Sequence, residues 1–236
     1  MPTGDTPGWH QVFADNFSTN VPLGQFPAAV SSSWGASYPD GWNDTTGHGT
    51  YMPSKVVSIS GGLMSLYLHT VNGVHMVAAP VPSLNGPGSE GGLVYGRFVV
   101  RFRADAVQGY KTAWLLWPDS EVWPRDGEID FPEGDLTGTM SAYVHHQGAT
   151  DTSGADQAAF NTSARYTSWH TATITWLPTG VTFQLDGQTI GTTTSRIPDT
   201  PMHLVLQTET STDAAPPPNS ASGRVQIDWI TAYSPS

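Results

Sequence analysis

Tyr95-Gly-Arg-Phe-Val-Val-Arg-Phe-Arg103 decides the fold class. Phe98, Val100 and Phe102 fall on one side of an extended chain and Arg97, Val99, Arg101 and Arg103 on the other, the two-residue period of a strand with one face in a core. That period recurs through most of the chain, while the 3.6-residue period of a helix is almost nowhere to be found. Strands are expected at 56–60 and 63–69 around Gly61-Gly62, a pair suited to the positive φ angles of a two-residue hairpin turn. Further strands are expected at 112–117, 139–145, 171–176, 181–185, 203–210 and 225–233, with Asp186-Gly187 as a second tight turn. The stretch 214–223 contains Pro216-Pro217-Pro218 and is expected as a surface loop, because proline lacks the N–H that a central strand needs. Nothing divides the chain by composition, so a single all-β domain over 1–236 is expected, a sandwich or jelly roll of two antiparallel sheets.

Composition narrows the function. The 236 residues include 20 acidic and only 9 basic side chains, for a formal charge of −11. Nucleic-acid binding is excluded as a leading reading, since its affinity comes from Lys and Arg on phosphates. Zero cysteines exclude thiol catalysis, disulfides and cysteine-based zinc sites. No run of apolar residues is long enough to span a membrane, and the first residues lack the basic-then-apolar pattern of an export signal. A secreted location is nonetheless expected, with the signal already removed, and a monomer is expected because no self-complementary apolar patch stands out.

The most informative stretch is Trp123-Pro-Arg-Asp-Gly-Glu128-Ile-Asp130-Phe-Pro-Glu133-Gly-Asp135. Ile129 and Phe131 alternate with Glu128 and Asp130, so the apolar pair can enter a core while the carboxylates line the opposite surface. Glu133 has the wrong parity and in a regular strand would point into the core, where an unpaired carboxylate is costly. One extra residue near Phe131-Pro132, a β-bulge, restores it to the face of Glu128 and Asp130, and proline inside a strand is found at edges and bulges. Three like charges on one face do nothing for stability. Two carboxyls in different environments do suit glycosidic-bond cleavage with retention, one as nucleophile and one as general acid. A calcium loop or a solvated strand end is the competing reading of the same acids.

The stretch Gly127-Glu-Ile-Asp-Phe-Pro-Glu133 resembles the E-x-D-x-x-E signature of glycoside hydrolase family 16. Tyr95-Gly-Arg-Phe98, Ala113-Trp114, Trp123-Pro124, Val144-His145, Trp169 to Trp176, Leu185-Asp-Gly187 and Val225 to Ile230 fall in the family's order, so the likeness covers most of the chain. The resemblance implies a β-jelly roll with a carbohydrate cleft on its concave sheet. It implies Glu128 as nucleophile, Asp130 as its assistant and Glu133 as acid/base, with Trp123 and His145 at subsites beside the scissile bond. It also implies a structural calcium at Asp228, near Asp15; no cofactor is expected for the chemistry.

The remaining candidates for sugar contact are Trp34, Trp42, Asn43, Trp114 and Trp117, whose flat or amide side chains suit sugar rings, and Tyr143, Gln207 and Glu209, which share strand faces with the site. Arg97 completes the set. The expected substrate is a polysaccharide, β-1,3- or mixed β-1,3/1,4-glucan, cleaved by a retaining endo-glycosidase. A galactanase of the agarase or carrageenase type is the alternative, kept open by Arg97, Arg101, Arg103, Lys111 and Arg125; a non-catalytic lectin-like sandwich is the other.

Overall fold

The computed structural model describes residues 1–35, 38–212 and 215–236. The strands, in chain order, are β1 (Trp9–Asp15), β2 (Trp34–Gly35), β3 (Gly49–Tyr51), β4 (Val57–Ser60), β5 (Leu63–Val71), β6 (Val74–Val77), β7 (Val81–Pro82), β8 (Gly96–Ala104), β9 (Tyr110–Pro118), β10 (Glu128–Asp135), β11 (Ser141–His145), β12 (Gln157–Asn161), β13 (His170–Leu177), β14 (Gly180–Leu185), β15 (Gln188–Thr193), β16 (Met202–Thr210) and β17 (Gly223–Pro235). The α-helix Pro53–Val56 and the 3₁₀ turn Ala28–Val30 are single turns.

Two sheets carry the fold. The larger runs β15-β14-β13-β8-β17-β5-β6-β3, with β1 paired to β17 and β4 to β5; the smaller runs β12-β11-β10-β9-β16. Their pairings are antiparallel except for β3 with β6. The all-β sandwich expected from the sequence is therefore the observed architecture, with strands at each of the positions anticipated. Gly61 and Gly62 have φ of 60° and 78°, and Asp186 and Gly187 have 51° and 78°, as two-residue hairpin turns require.

One apolar cluster lies between the sheets. Phe98, Val100 and Phe102 of β8, Ala172, Ile174 and Trp176 of β13, and Val225, Ile227 and Ile230 of β17 face Trp114, Leu116, Ile129, Phe131, Val144, Leu204 and Leu206 from the smaller sheet. In β17 a register shift between Ile227 and Trp229 lets Ile227 and Ile230, three apart, keep the same face. Of the loop expected at 214–223, Ala214 lies outside the described residues; residues 215–222 join β16 to β17 without strand pairing.

Burial on one side of β9, β10 and β16 leaves their other side to form a surface. On β9, Thr112, Trp114 and Leu116 are buried in the core direction, so Lys111, Ala113, Leu115 and Trp117 point away from it.

Candidate active site

The strand β10 carries the expected irregularity. Asp130 pairs with Leu115 and Tyr143, and the next paired residue, Glu133, sits opposite Ala113 and Ser141. Three steps on β10 thus match two on each neighbour, so one residue is extra and the bulge falls at Phe131-Pro132. Phe131 is in the core, while Glu128, Asp130 and Glu133 all line one cleft of about 640 Å³. Gly127, just before this strand, has φ of 75°, and a Cβ there would lie 2.7 Å from the His145 carbonyl oxygen. Only glycine lets β10 approach β11 that closely.

Position dictates what else reaches the cleft. Gln207 and Glu209 come from β16, whose register sets them opposite Ala113 and Lys111. The segment 38–51 forms a wall with Tyr38, Trp42, Asn43, Thr45 and Tyr51. Asp44 clips it in place: its carboxylate accepts from the Thr210 N–H (2.8 Å) and hydroxyl (2.7 Å), the Gly49 N–H (3.0 Å) and the Thr46 hydroxyl (2.9 Å). Burial alone would raise the Asp44 pKa, but these bonds hold it below the usual carboxylate range. The Tyr51 hydroxyl donates to Gln207 Oε1 at 3.0 Å, tying wall to floor. Past Trp117, whose indole N–H donates to Glu121 at 2.8 Å, a second depression of about 590 Å³ continues over Asp119, Glu121 and His203 and shares Tyr38 and Trp42 with the first.

Six carboxylates and one ammonium line the cleft, and four of the carboxylates, Glu128, Asp130, Glu133 and Glu209, crowd its floor. Burial raises Glu128 to about 7, and the Glu133 charge adds to that; the Asp130 carboxyl and the Trp123 indole N–H act the other way and favour its ionised form. Trp123 Nε1 and Asp130 Oδ2 are buried without a hydrogen-bond partner. Asp130, only 2% exposed, is raised well above its ordinary value by burial and by the charges of Glu128 and Glu133. The two titrate as a coupled pair in which burial opposes ionisation of both, and the contact between them favours ionised Glu128 over ionised Asp130. His145, its Nε2 3.5 Å from Asp130 and 3.8 Å from Glu128, is pushed down by burial. Its ring meets Trp123 edge-on at 5.9 Å.

Glu133 sits in different company: Lys111 Nζ donates to its Oε1 at 2.7 Å and lies 3.7 Å from Glu209 Oε1. Burial would lower Lys111, but the two glutamates more than reverse that and hold it as an ammonium. Glu209, 3% exposed, is raised by burial despite Lys111.

Among the expected contact residues, Trp42, Asn43, Trp117, Trp123, His145, Gln207 and Glu209 line the cleft. Tyr143 shares the cleft face of the sheet, opposite Asp130 in register, but lies beyond the lining. Three expectations are corrected. Trp114 is 1% exposed and packs on Phe102 at 4.8 Å in the core; it is three residues from Trp117, and such a spacing puts the two on opposite faces of a strand. Trp34 is also 1% exposed, among Phe13, Phe17 and Phe26, with its indole N–H on Asp15 at 2.8 Å. Arg97 belongs to β8 of the other sheet and lies over the Trp9 ring at 4.3 Å. The calcium expected at Asp228 does not fit either: Arg101 donates to that carboxylate, placing a guanidinium where a cation would bind. Asp15 is committed to the Phe17 N–H and Trp34. Lys111, Tyr38 and Glu121 are cleft residues outside the expected set, and Tyr51, which the sequence groups with Trp34 and Trp42 as an aromatic suited to sugars, also lines the cleft; the parity of β9 was the available signal for Lys111.

Comparison with known proteins agrees with this geometry. The family model for glycosyl hydrolases family 16 matches residues 48–231. Crh-like protein 2 of Aspergillus fumigatus is 26% identical over 94 residues, which is 40% of this chain, and the match spans only 20% of that protein's length. Among solved structures, a non-specific endo-β-1,3(4)-glucanase superposes with a TM-score of 0.73 at 17% identity, covering 100% of this chain and 95% of its own. The laminarinase of Rhodothermus marinus gives 0.75 at 20% identity, with 97% and 98% covered. An immunostimulatory antigen and pseudo β-1,3-glucanase of Mycobacterium tuberculosis gives 0.74 at 17% identity, with 96% and 99% covered. At these identities the superpositions speak for the jelly-roll fold, and the match over residues 48–231 settles the family: the chain belongs to glycosyl hydrolases family 16.

Proposed function

We propose that the chain is a retaining endo-glycosidase that hydrolyses β-1,3- or mixed β-1,3/1,4-glucan by double displacement. The carrying observation is the bulge at Phe131-Pro132, which brings Glu128 and Glu133 to one cleft floor in unlike environments. In the first step ionised Glu128 attacks the anomeric carbon while protonated Glu133 gives its proton to the departing glycosidic oxygen. In the second, Glu133 takes a proton from water as that water attacks the carbon and the bond to Glu128 breaks. Asp130 orients Glu128 and favours its ionised form, and Trp123 and His145 wall the reacting sugar.

A neutral glucan suits the cleft better than a sulfated galactan. Arg97, Arg101 and Arg103 belong to the strand β8 of the opposite sheet, Arg125 is paired with Asp126, and Lys111 faces two carboxylates. The cleft lining therefore carries more negative than positive charge, which repels a polyanion. Trp42, Trp117 and Trp123 instead offer rings to the C–H faces of sugars. The continuation past Trp117 leaves room for several sugars, as internal cleavage of a polymer requires.

Products from laminarin, lichenan, agarose and carrageenan, with NMR of the first-formed anomer, test the reading. Short β-glucan oligomers of retained configuration from the first two are expected; inversion, or action only on the galactans, overturns it. Azide then separates the two glutamates. Glu133→Ala on an activated aryl glycoside is expected to give the β-azide and Glu128→Ala the α-azide, and the reverse pattern exchanges their roles.

A further inference from the structure

We propose that Lys111 and Glu209 form a charge relay for the acid/base, with the Lys111 ammonium moving between Glu133 and Glu209 as Glu133 loses and regains its proton. The proposal rests on the assignment of Glu133 just made. An acid/base must hold a proton in one step and lack it in the next, and a fixed ammonium 2.7 Å away favours only the ionised form. A second carboxylate that can receive the ammonium removes that bias.

Geometry supplies one. Lys111 and Glu209 are cross-strand partners on β9 and β16, and Glu133 stands on β10 opposite Ala113, so the lysine lies between the two glutamates on one sheet face. Its ammonium touches Glu133 and needs to close only from 3.7 Å to reach Glu209 Oε1. Glu209 Oε2 is buried with no hydrogen-bond partner, so the receiving carboxylate has bonding capacity to spare. The Lys111 side chain is 10% exposed, which keeps water from screening the exchange.

The proton balance is simple. In the first step Glu133 transfers its proton to the leaving oxygen, and Lys111, an ammonium throughout, moves from Glu209 to the new Glu133 carboxylate. In the second step Glu133 takes a proton from water, becomes neutral, and Lys111 returns to Glu209. The other groups around this trio are Glu128, Asp130 and Asp135 on β10, His145 and Tyr143 on β11, Tyr38, Asp44 and Tyr51 from the wall, and the buried Tyr166. Among the described residues, Lys111 is the cation in contact with Glu133.

Lys111 and Glu209 are positioning residues in this scheme, and two substitutions should move one readout in opposite directions. On the far alkaline limb, kcat/KM on a glucan is proportional to the proton affinity of Glu133, whatever the order in which the carboxyls titrate. Lys111→Met removes the ammonium and is expected to raise that limb about tenfold or more relative to the profile's maximum. Glu209→Gln leaves the ammonium on Glu133 and is expected to lower it by a similar factor. An activated aryl glycoside needs no acid for its first step, so its kcat/KM should show neither change. Because Lys111→Met exposes two buried carboxylates to each other, its thermal unfolding is measured alongside, and Lys111→Arg, which keeps the charge, should restore the parent limb. Equal displacement in both variants, displacement on the aryl glycoside as well, or no displacement in Glu209→Gln overturns the relay. If Glu133→Ala fails to spare the aryl glycoside over the glucan, it is the assignment of Glu133 that falls.

Discussion

Asp130→Ala offers the sharpest test of how the site tunes Glu128, the proposed nucleophile. Glu128 is held near 7 by burial, and the neighbouring Asp130 carboxyl pulls it the other way by favouring its ionised form. A hydrogen bond to a charged group contributes about 1.5–3 kcal/mol, and about 1.4 kcal/mol is one pKa unit. Its loss should raise the Glu128 pKa by about one to two units. Acidic of both carboxyls, the reactive fraction falls in proportion to the ionisation constant of Glu128, so kcat/KM on the acid limb should drop about ten- to a hundredfold. Asp130→Asn retains a donor of the same shape and should keep most of the parent limb. The assay is kcat/KM against pH on an activated aryl β-glucoside, which isolates attack by Glu128 from acid assistance. An unshifted acid limb in the alanine variant, or equal shifts in both variants, would refute this account of the pair.

Three further outcomes follow from the same geometry. Trp42→Ala should raise KM for long glucans while leaving the thermal midpoint unchanged, because that ring is 58% exposed in the cleft wall. Trp34→Ala should cost about 3–5 kcal/mol, read as a fall of about 2–4 °C per kcal/mol in the midpoint, because its ring fills the core among three phenylalanines; similar midpoints for the two variants would contradict both placements. Glu128→Gln should unfold at a higher temperature than the parent above pH 7. The sign follows from the raised folded pKa: the native state keeps a proton that the unfolded chain releases, so stability declines as pH rises from the unfolded value near 4.5 through about 7. The advantage of the glutamine should shrink as pH falls through that window, and a pH-independent difference would count against the burial penalty.

How much of this was legible in the sequence depended on local pattern. Strands with one face in the core, such as β8 and β13, announce themselves by alternation. The edge strands β12 and β15 do not, because Gln157–Asn161 and Gln188–Thr193 are half-exposed on both faces and show no apolar-polar alternation. Trp9–Asp15 was missed for another reason: its partner β17 lies at the far end of the chain, and nothing nearby in sequence advertises the pairing. The grouping of Glu128, Asp130 and Glu133 on one face was readable because odd spacing with a proline pointed to a bulge. Parity likewise separates Trp114 from Trp117 once the strand is granted. It cannot reach Trp34, whose fate is decided by Phe13, Phe17 and Phe26 arriving from elsewhere, or Arg97, whose face was correct but whose sheet was not. Lys111 was visible as a cation and invisible as a partner of Glu133, since that contact depends on strand order.

The extra residue in β10 also makes the distance between the two glutamates a discrete quantity. Beyond Pro132 every side chain is out of phase with the first half of the strand, so Glu133 faces the cleft while Phe131, two positions earlier, lies in the core. No single replacement can slide Glu133 closer to Glu128 or farther from it, because side chains meet the cleft only in whole steps of the backbone. The spacing changes by insertion or deletion alone, and losing one residue from the bulge would itself leave Glu-x-Asp-x-Glu, whose regular alternation keeps the three acids on one face. Substitution can tune the acidity, contacts and reach of this pair through neighbours such as Lys111 and Trp123, but the gap across which a sugar must fit is written in chain length.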